Sequence, residues 1–167
     1  MKTGLLKALR SKSDKQEKIV YISPEDTALQ FFVTETETFT YQGVLERCEW
    51  HGYIVNGDIQ QIANMRCFLK YDAKYKYLEG VFISDILVNL QWQGKGYGGK
   101  LIDLLIRYAE KLGAEYLCGK LSFVDIGRED DPDRGEKTER LSRFYRRHGF
   151  TVCEDNYIFR PIKKQNA

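Results

Sequence analysis

Residues 91–101 read QWQGKGYGGKL and hold two overlapping phosphate-loop patterns. Gly94, Gly96 and Gly99 spell G-x-G-x-x-G, the fingerprint of a dinucleotide-binding turn. Gln93, Gly96 and Gly98 spell Q-x-x-G-x-G, the pattern of a different pyrophosphate loop. Both open a helix, where converging backbone N–H groups and the positive helix end favour an anion. The chain on either side has to separate them.

Downstream, Leu101, Leu105, Tyr108 and Leu112 recur at helical spacing, Ile102 and Ala109 widen the stripe, and Gly113 stands where a left-handed C-cap belongs. "AEYLCGKLSF" reads as a strand, "VDIGREDDPDRGEK" as a charged loop, and "TERLSRFYRRHGF" as a second helix with Leu141, Phe144, Tyr145 and His148 on one side and Gly149 as its stop. "FTVCEDNYIFRPI" closes the chain as one or two strands. Upstream the reading is almost all strand. "KIVYI" (18–22), "LQFFVTETETFTY", "GVLERCEWHGYIV" and "IANMRCFLKY" (62–71) are β-branched or aromatic runs, with a turn expected at Asn56-Gly57-Asp58. "YLEGVFISDILVNL" (77–90) is the most apolar and is expected to be the most buried. Residues 1–17 read as a polar arm, helical around residues 5–9, and residues 18–167 as one domain.

A dinucleotide fold needs an acidic residue about 20 positions beyond the last glycine to hold the ribose hydroxyls. From Gly99 that count lands in "CGKLS", which has none; Asp125 lies beyond the expected strand end. A strand meander in place of βαβ repeats precedes the loop, so an NAD(P)-dependent oxidoreductase is a remote alternative. A Walker loop fails because no G-K-[ST] is present.

The other pattern has an independent companion. "ILVNLQWQGKGYGGKLIDLLI" (86–106) and "RFYRRHGF" (143–150), in this order with a strand between them, resemble the central and C-terminal motifs of the GNAT superfamily of N-acetyltransferases. The resemblance implies an α/β (α+β) fold with a mixed, mostly antiparallel central sheet flanked by helices. It also implies acetyl-coenzyme A as co-substrate and transfer of its acetyl group to a primary amine by direct attack on the thioester. The loop residues Gln93, Gly94, Lys95, Gly96, Tyr97, Gly98 and Gly99 would hold the pyrophosphate, Gln93 bracing the loop and Lys95 or Lys100 adding charge at its edge. The strand "SDILVNL" would splay from its neighbour, and the Val88 amide would meet the thioester oxygen as charge develops there. Tyr145 matches the tyrosine that donates a proton to the leaving thiolate. Family members usually place two helices between their first and second strands, whereas residues 29–71 here are strand-like, giving an unusually strand-rich N-terminal half.

Neutralising a lysine-type ammonium at pH 7 costs roughly 4 to 5 kcal/mol, against about 1 for an α-amine, so a lysine-type acceptor wants a base. Asp85 and Glu79 are the candidates, although regular alternation would turn Asp85 away from Ser84, Ile86 and Val88 unless a bulge intervenes. A strand acid held by a cation, a backbone carbonyl or a water chain are the other readings. Residues 127–137 carry five acids that would attract a cationic amine, close as a lid, or stay solvated. Arg140, Arg143 and Arg147 share a helical face that would meet phosphates or remain solvated.

The rest of the composition narrows the field. A formal charge of +2 provides no strong pull toward nucleic acid or membrane. Four scattered cysteines and two histidines, His51 and His148, make no metal-ligand spacing, and no run approaches a membrane span or a signal peptide core. The expectation is a cytoplasmic enzyme, monomer or homodimer, without metal, acting on an amine-bearing small molecule or protein. A non-catalytic acyl-coenzyme A sensor or assembly module stands as the alternative.

Overall fold

The computed structural model describes residues 17–22, 29–39, 45–56, 61–71 and 78–162. The expected N-terminal arm, apart from Glu17, and the tip of the turn after Asn56 lie outside them. Among the described residues eight strands form one sheet in the order β1-β2-β3-β4-β5-β6-β8-β7. Strands β1 (Glu17–Ile22), β2 (Leu29–Phe39), β3 (Leu45–Asn56), β4 (Gln61–Tyr71) and β5 (Leu78–Val88) run as an antiparallel meander. β6 (Tyr116–Lys120) joins β5 in parallel, β8 (Tyr157–Pro161) joins β6 antiparallel, and β7 (Thr151–Val152) lies outside β8. The strand propensity of residues 29–71 therefore predicts the local structure correctly: β2 begins only six residues after β1 ends.

Alternation along β4 fixes which face is inside. Ala63, Met65, Cys67 and Leu69 are buried, whereas Arg66 and Lys70 are exposed and Asn64 and Phe68 half-buried. Against the inner face packs α1 (Tyr97–Leu112), which contributes Leu101, Ile102, Leu104, Leu105, Tyr108 and Ala109 to a core shared with Trp50, Ile54 and Ile62. The helical stripe is as expected save that Leu104 joins it and Leu112 stays partly exposed. Gly113 is the left-handed cap at φ 74°, its amide bonded to the Glu110 carbonyl at 3.1 Å.

Two expectations are corrected. β5 is well buried only over its first half, since residues 84–88 are half-buried or exposed along an opening in the sheet. The segment read as one charged loop carries a short helix α2 (Phe123–Ile126) and the first turn of α3 (Arg134–Arg147). Asp131 is what starts α3 early. Its carboxylate accepts from the Asp133 amide at 2.9 Å and from Lys137 Nζ at 2.7 Å, and Arg134 donates to the Gly127 carbonyl at 2.6 Å. The segment is pinned at both ends by these bonds. No described helix is long and apolar enough to cross a membrane.

Candidate active site

The glycine loop is built from the end of β5 upward. After Val88 the chain makes a 3-10 turn (Leu90–Trp92), and the Asn89 amide nitrogen bonds back to the Ile62 carbonyl at 3.0 Å. The Gln93 side chain donates to the Val88 carbonyl at 3.0 Å, folding the loop onto the strand it leaves. Gly94 and Gly96 take φ of 74° and 83°, a left-handed conformation that costs any other residue roughly 1–2 kcal/mol. The first helical bond of α1 is Lys100 N–H to the Gly96 carbonyl at 3.1 Å. The backbone amides of residues 94–99 consequently donate to nothing among the described residues. Lys95 lies 4.6 Å over the Trp92 ring and Lys100 5.5 Å over Tyr97, so two cations flank these amides.

Gly98 and Gly99 have a different task. A Cβ on Gly98 would stand 3.6 Å from Phe144 and 3.8 Å from Val88, and one on Gly99 would press to 3.1 Å from the His148 ring. His148 Nδ1 lies 3.2 Å from Asp103 Oδ1, tying α3 to α1 at this close approach. The glycine that completes the dinucleotide fingerprint thus serves the packing of two helices.

Beside the loop the sheet opens. β5 and β6 pair only from Gly80 with Tyr116 to Ile83 with Gly119, after which β6 ends at Lys120 while β5 continues to Val88. Residues 84–88 therefore have no strand partner on that side, which is the splay expected of "SDILVNL". The gap is a cleft of about 380 Å³, walled by β5 and the Val88 side chain, by Gln93 and Gly98 of the loop, by Lys120, Leu121 and Asp125, and by Lys137, Arg140, Leu141, Phe144 and Tyr145 of α3.

Tyr145 is buried between Phe144 and Phe150, its ring edge-on to both at 5.1 and 5.4 Å. Burial first, then the carboxylate of Asp125 and the thiol of Cys67, push its phenol well above the ordinary value, so it keeps its proton at neutral pH. Its hydroxyl makes no hydrogen bond among the described residues.

Asp85 also reaches the cleft, and the reason is a bulge. Arg66 pairs with Asp85 but Cys67 with Ile83, leaving Ser84 as the extra residue that breaks regular alternation. The Asp85 carboxylate is engaged, accepting from Arg66 Nη2 at 2.9 Å and Ser84 Oγ at 3.1 Å. Glu79 lies away from the cleft in an ion pair with Lys70 at 3.3 Å. Of the arginine face, Arg140 alone lines the cleft, whereas Arg143 pairs with Glu139 at 3.7 Å.

Asp125 lines the cleft although the sequence offered it only as a ribose-binding acid, set aside there. It sits on α2 and is exposed to the opening, its carboxyl raised by partial burial and then by Asp85. The only signal was an acid inside an otherwise apolar "SFVDI", too short a segment for periodicity to orient.

The loop of residues 94–99 offers unpaired amides of the kind a pyrophosphate accepts from, and residues 84–88 leave a strand edge without a strand partner. Comparison with known proteins agrees with the geometry. No curated protein matches the chain. A GNAT acetyltransferase of Staphylococcus aureus superposes with a TM-score of 0.51 at 12% identity, over 69% of this chain and 68% of that one. The ribosomal-protein-S18-alanine N-acetyltransferase of Escherichia coli gives 0.50 at 16% over 70% of both chains. Spermidine N-acetyltransferase of Vibrio cholerae, solved with coenzyme A and spermine, gives 0.51 at 12% over 70% of this chain and 67% of that one. The sequence model of the acetyltransferase (GNAT) domain matches residues 48–152, more than half of the chain, and the protein belongs to the GNAT acetyltransferase family.

Proposed function

We propose that the protein is an N-acetyltransferase that uses acetyl-coenzyme A to acetylate a primary amine. The observation that carries this reading is a cleft lined by Tyr145 and by Gln93 and Gly98 of the glycine loop, the loop's six amides and the Tyr145 hydroxyl being unpartnered among the described residues. Acetyl-coenzyme A supplies an acetyl thioester, the group an amine attacks. The loop of residues 93–99 binds the pyrophosphate, Lys95 and Lys100 adding charge at its rim. The Val88 backbone is the donor aimed at the thioester oxygen. Tyr145 holds the proton that the departing sulfur requires, and its raised phenol keeps that proton in place until the sulfur becomes basic. Spermine bound in one structural relative and the ribosomal-protein alanine in the name of another support an amine acceptor, free or on a protein.

The test is release of coenzyme A thiol from acetyl-coenzyme A in the presence of a panel containing a polyamine, a lysine-bearing peptide and a peptide with a free α-amine. Amine-dependent thiol release with the acetylated product found by mass spectrometry is expected. Tight coenzyme binding with no product across the panel would replace this reading with an acyl-coenzyme A sensor.

A further inference from the structure

Two carboxylates reach the cleft from opposite sides of the split sheet, Asp85 from β5 and Asp125 from the segment after β6. They differ in their partners. Asp85 is held by Arg66 and by the Ser84 hydroxyl, so its oxygens are already engaged. Asp125 accepts no hydrogen bond and makes no ion pair among the described residues; only its backbone amide is bonded, to the Ser122 carbonyl at 3.0 Å. A free carboxylate on the wall that also carries Tyr145 is the group available to a proton in the cleft.

Resting on the acetyl-transfer reading, we propose that Asp125 is the proton acceptor for a cationic alkylamine, and that Asp85, paired with Arg66 on the facing strand, helps orient the ammonium in the cleft. In this step Asp125 takes one proton from the ammonium and leaves a neutral amine. The nitrogen lone pair forms the new bond to the acetyl carbon, the carbon–sulfur bond breaks, and its electron pair stays on sulfur. Tyr145 gives its hydroxyl proton to that sulfur and regains one from the nitrogen as the amide forms. Asp125 then releases its proton to water, so the sum is ammonium plus thioester giving amide, thiol and one proton.

The surroundings agree with this role. Partial burial and the facing Asp85 raise the Asp125 carboxyl, which strengthens it as a base without adding a competing partner. The other charged or titratable groups facing the cleft are Lys120, Lys137, Arg140 and Tyr145, with Cys67 buried beneath on β4. Lys137 is tied to Asp131 at 2.7 Å, and Lys120 lies 5.0 Å over the Tyr157 ring.

Two measurements test the assignment together. The first is a carbon-13 NMR titration of aspartate-labelled protein, the Asp125 carboxyl identified by its loss in Asp125→Asn. The resonance is expected to titrate above the ordinary aspartate range, and to move back toward it in Asp85→Asn. An Asp125 that titrates in the ordinary range in wild type overturns the proposal whatever the activity. The second compares acetylation of a lysine-bearing peptide, charged at neutral pH, with that of an arylhydrazine, which is already neutral there. Asp125→Asn should lower kcat/KM for the peptide about a hundredfold, as loss of a general base does, and change the peptide-to-arylhydrazine ratio at least tenfold. An unchanged ratio in an active enzyme rejects Asp125 and leaves the acetyltransferase reading intact. If wild-type protein acetylates neither amine, both readings fall.

Discussion

At the residue scale the site is a division of labour among glycines and a tyrosine. Gly94 and Gly96 are required by backbone conformation and Gly99 by the His148 ring, so the first pair alone sets the path of the loop. Gly96→Ala should therefore cost roughly 1–2 kcal/mol in chemical denaturation, the penalty of a left-handed alanine, and should weaken coenzyme binding as well. Stability at the wild-type level would mean the loop relaxes without that glycine. Tyr145→Phe keeps the ring packing and removes only the hydroxyl. Coenzyme affinity should hold while turnover falls on the order of a hundredfold, and equal turnover would remove the tyrosine from the chemistry. The motifs exposed the loop and Tyr145 in the sequence because each is a local string. The place of Asp125 on the cleft was hidden because it depends on a split in the sheet that no local pattern encodes.

Among the elements, α3 depends on an electrostatic pin. Lys137 first, then the Asp133 amide, hold the Asp131 carboxyl below its usual value, and Asp131 in turn raises Lys137. A carboxyl whose folded pKa is depressed adds stability that is fully present above its unfolded value, ~3.9, and is lost as pH falls through the lower folded value. Protection of the amide hydrogens in the first turn of α3, measured against the intrinsic exchange rate at each pH, should accordingly fall below about pH 4, and Asp131→Asn should remove that acid dependence. Acid-independent protection in wild type would contradict the pin. The same bonds explain why sequence reading began α3 late: residues 127–137 look like solvated loop by composition, and only the side chain of Asp131 converts their end into helix. The bulge beside Asp85 stayed an open alternative in the sequence for a related reason, since an extra residue such as Ser84 is visible only against the partner strand.

Over the whole molecule, the chain resolves its own ambiguity by topology. The strand-rich N-terminal half was legible in the sequence, and it forms an antiparallel meander through β5, because β-branched and aromatic runs with clear breaks leave little room for helices between β1 and β2. Beyond β5 the chain turns to loop, helix and a parallel strand, and the one parallel pairing among the described residues is where the sheet opens. Gln93 and Gly98 of the glycine loop, Tyr145 and both carboxylates line that opening, and the proposed function requires the opening and its loop to bind acetyl-coenzyme A. Isothermal titration with acetyl-coenzyme A and, separately, NADH, on wild type and on Gly96→Asp, tests it most directly. The account predicts binding of acetyl-coenzyme A by wild type alone and no binding of NADH by either protein. Binding of NADH without acetyl-coenzyme A, or undiminished acetyl-coenzyme A binding by Gly96→Asp, would contradict it.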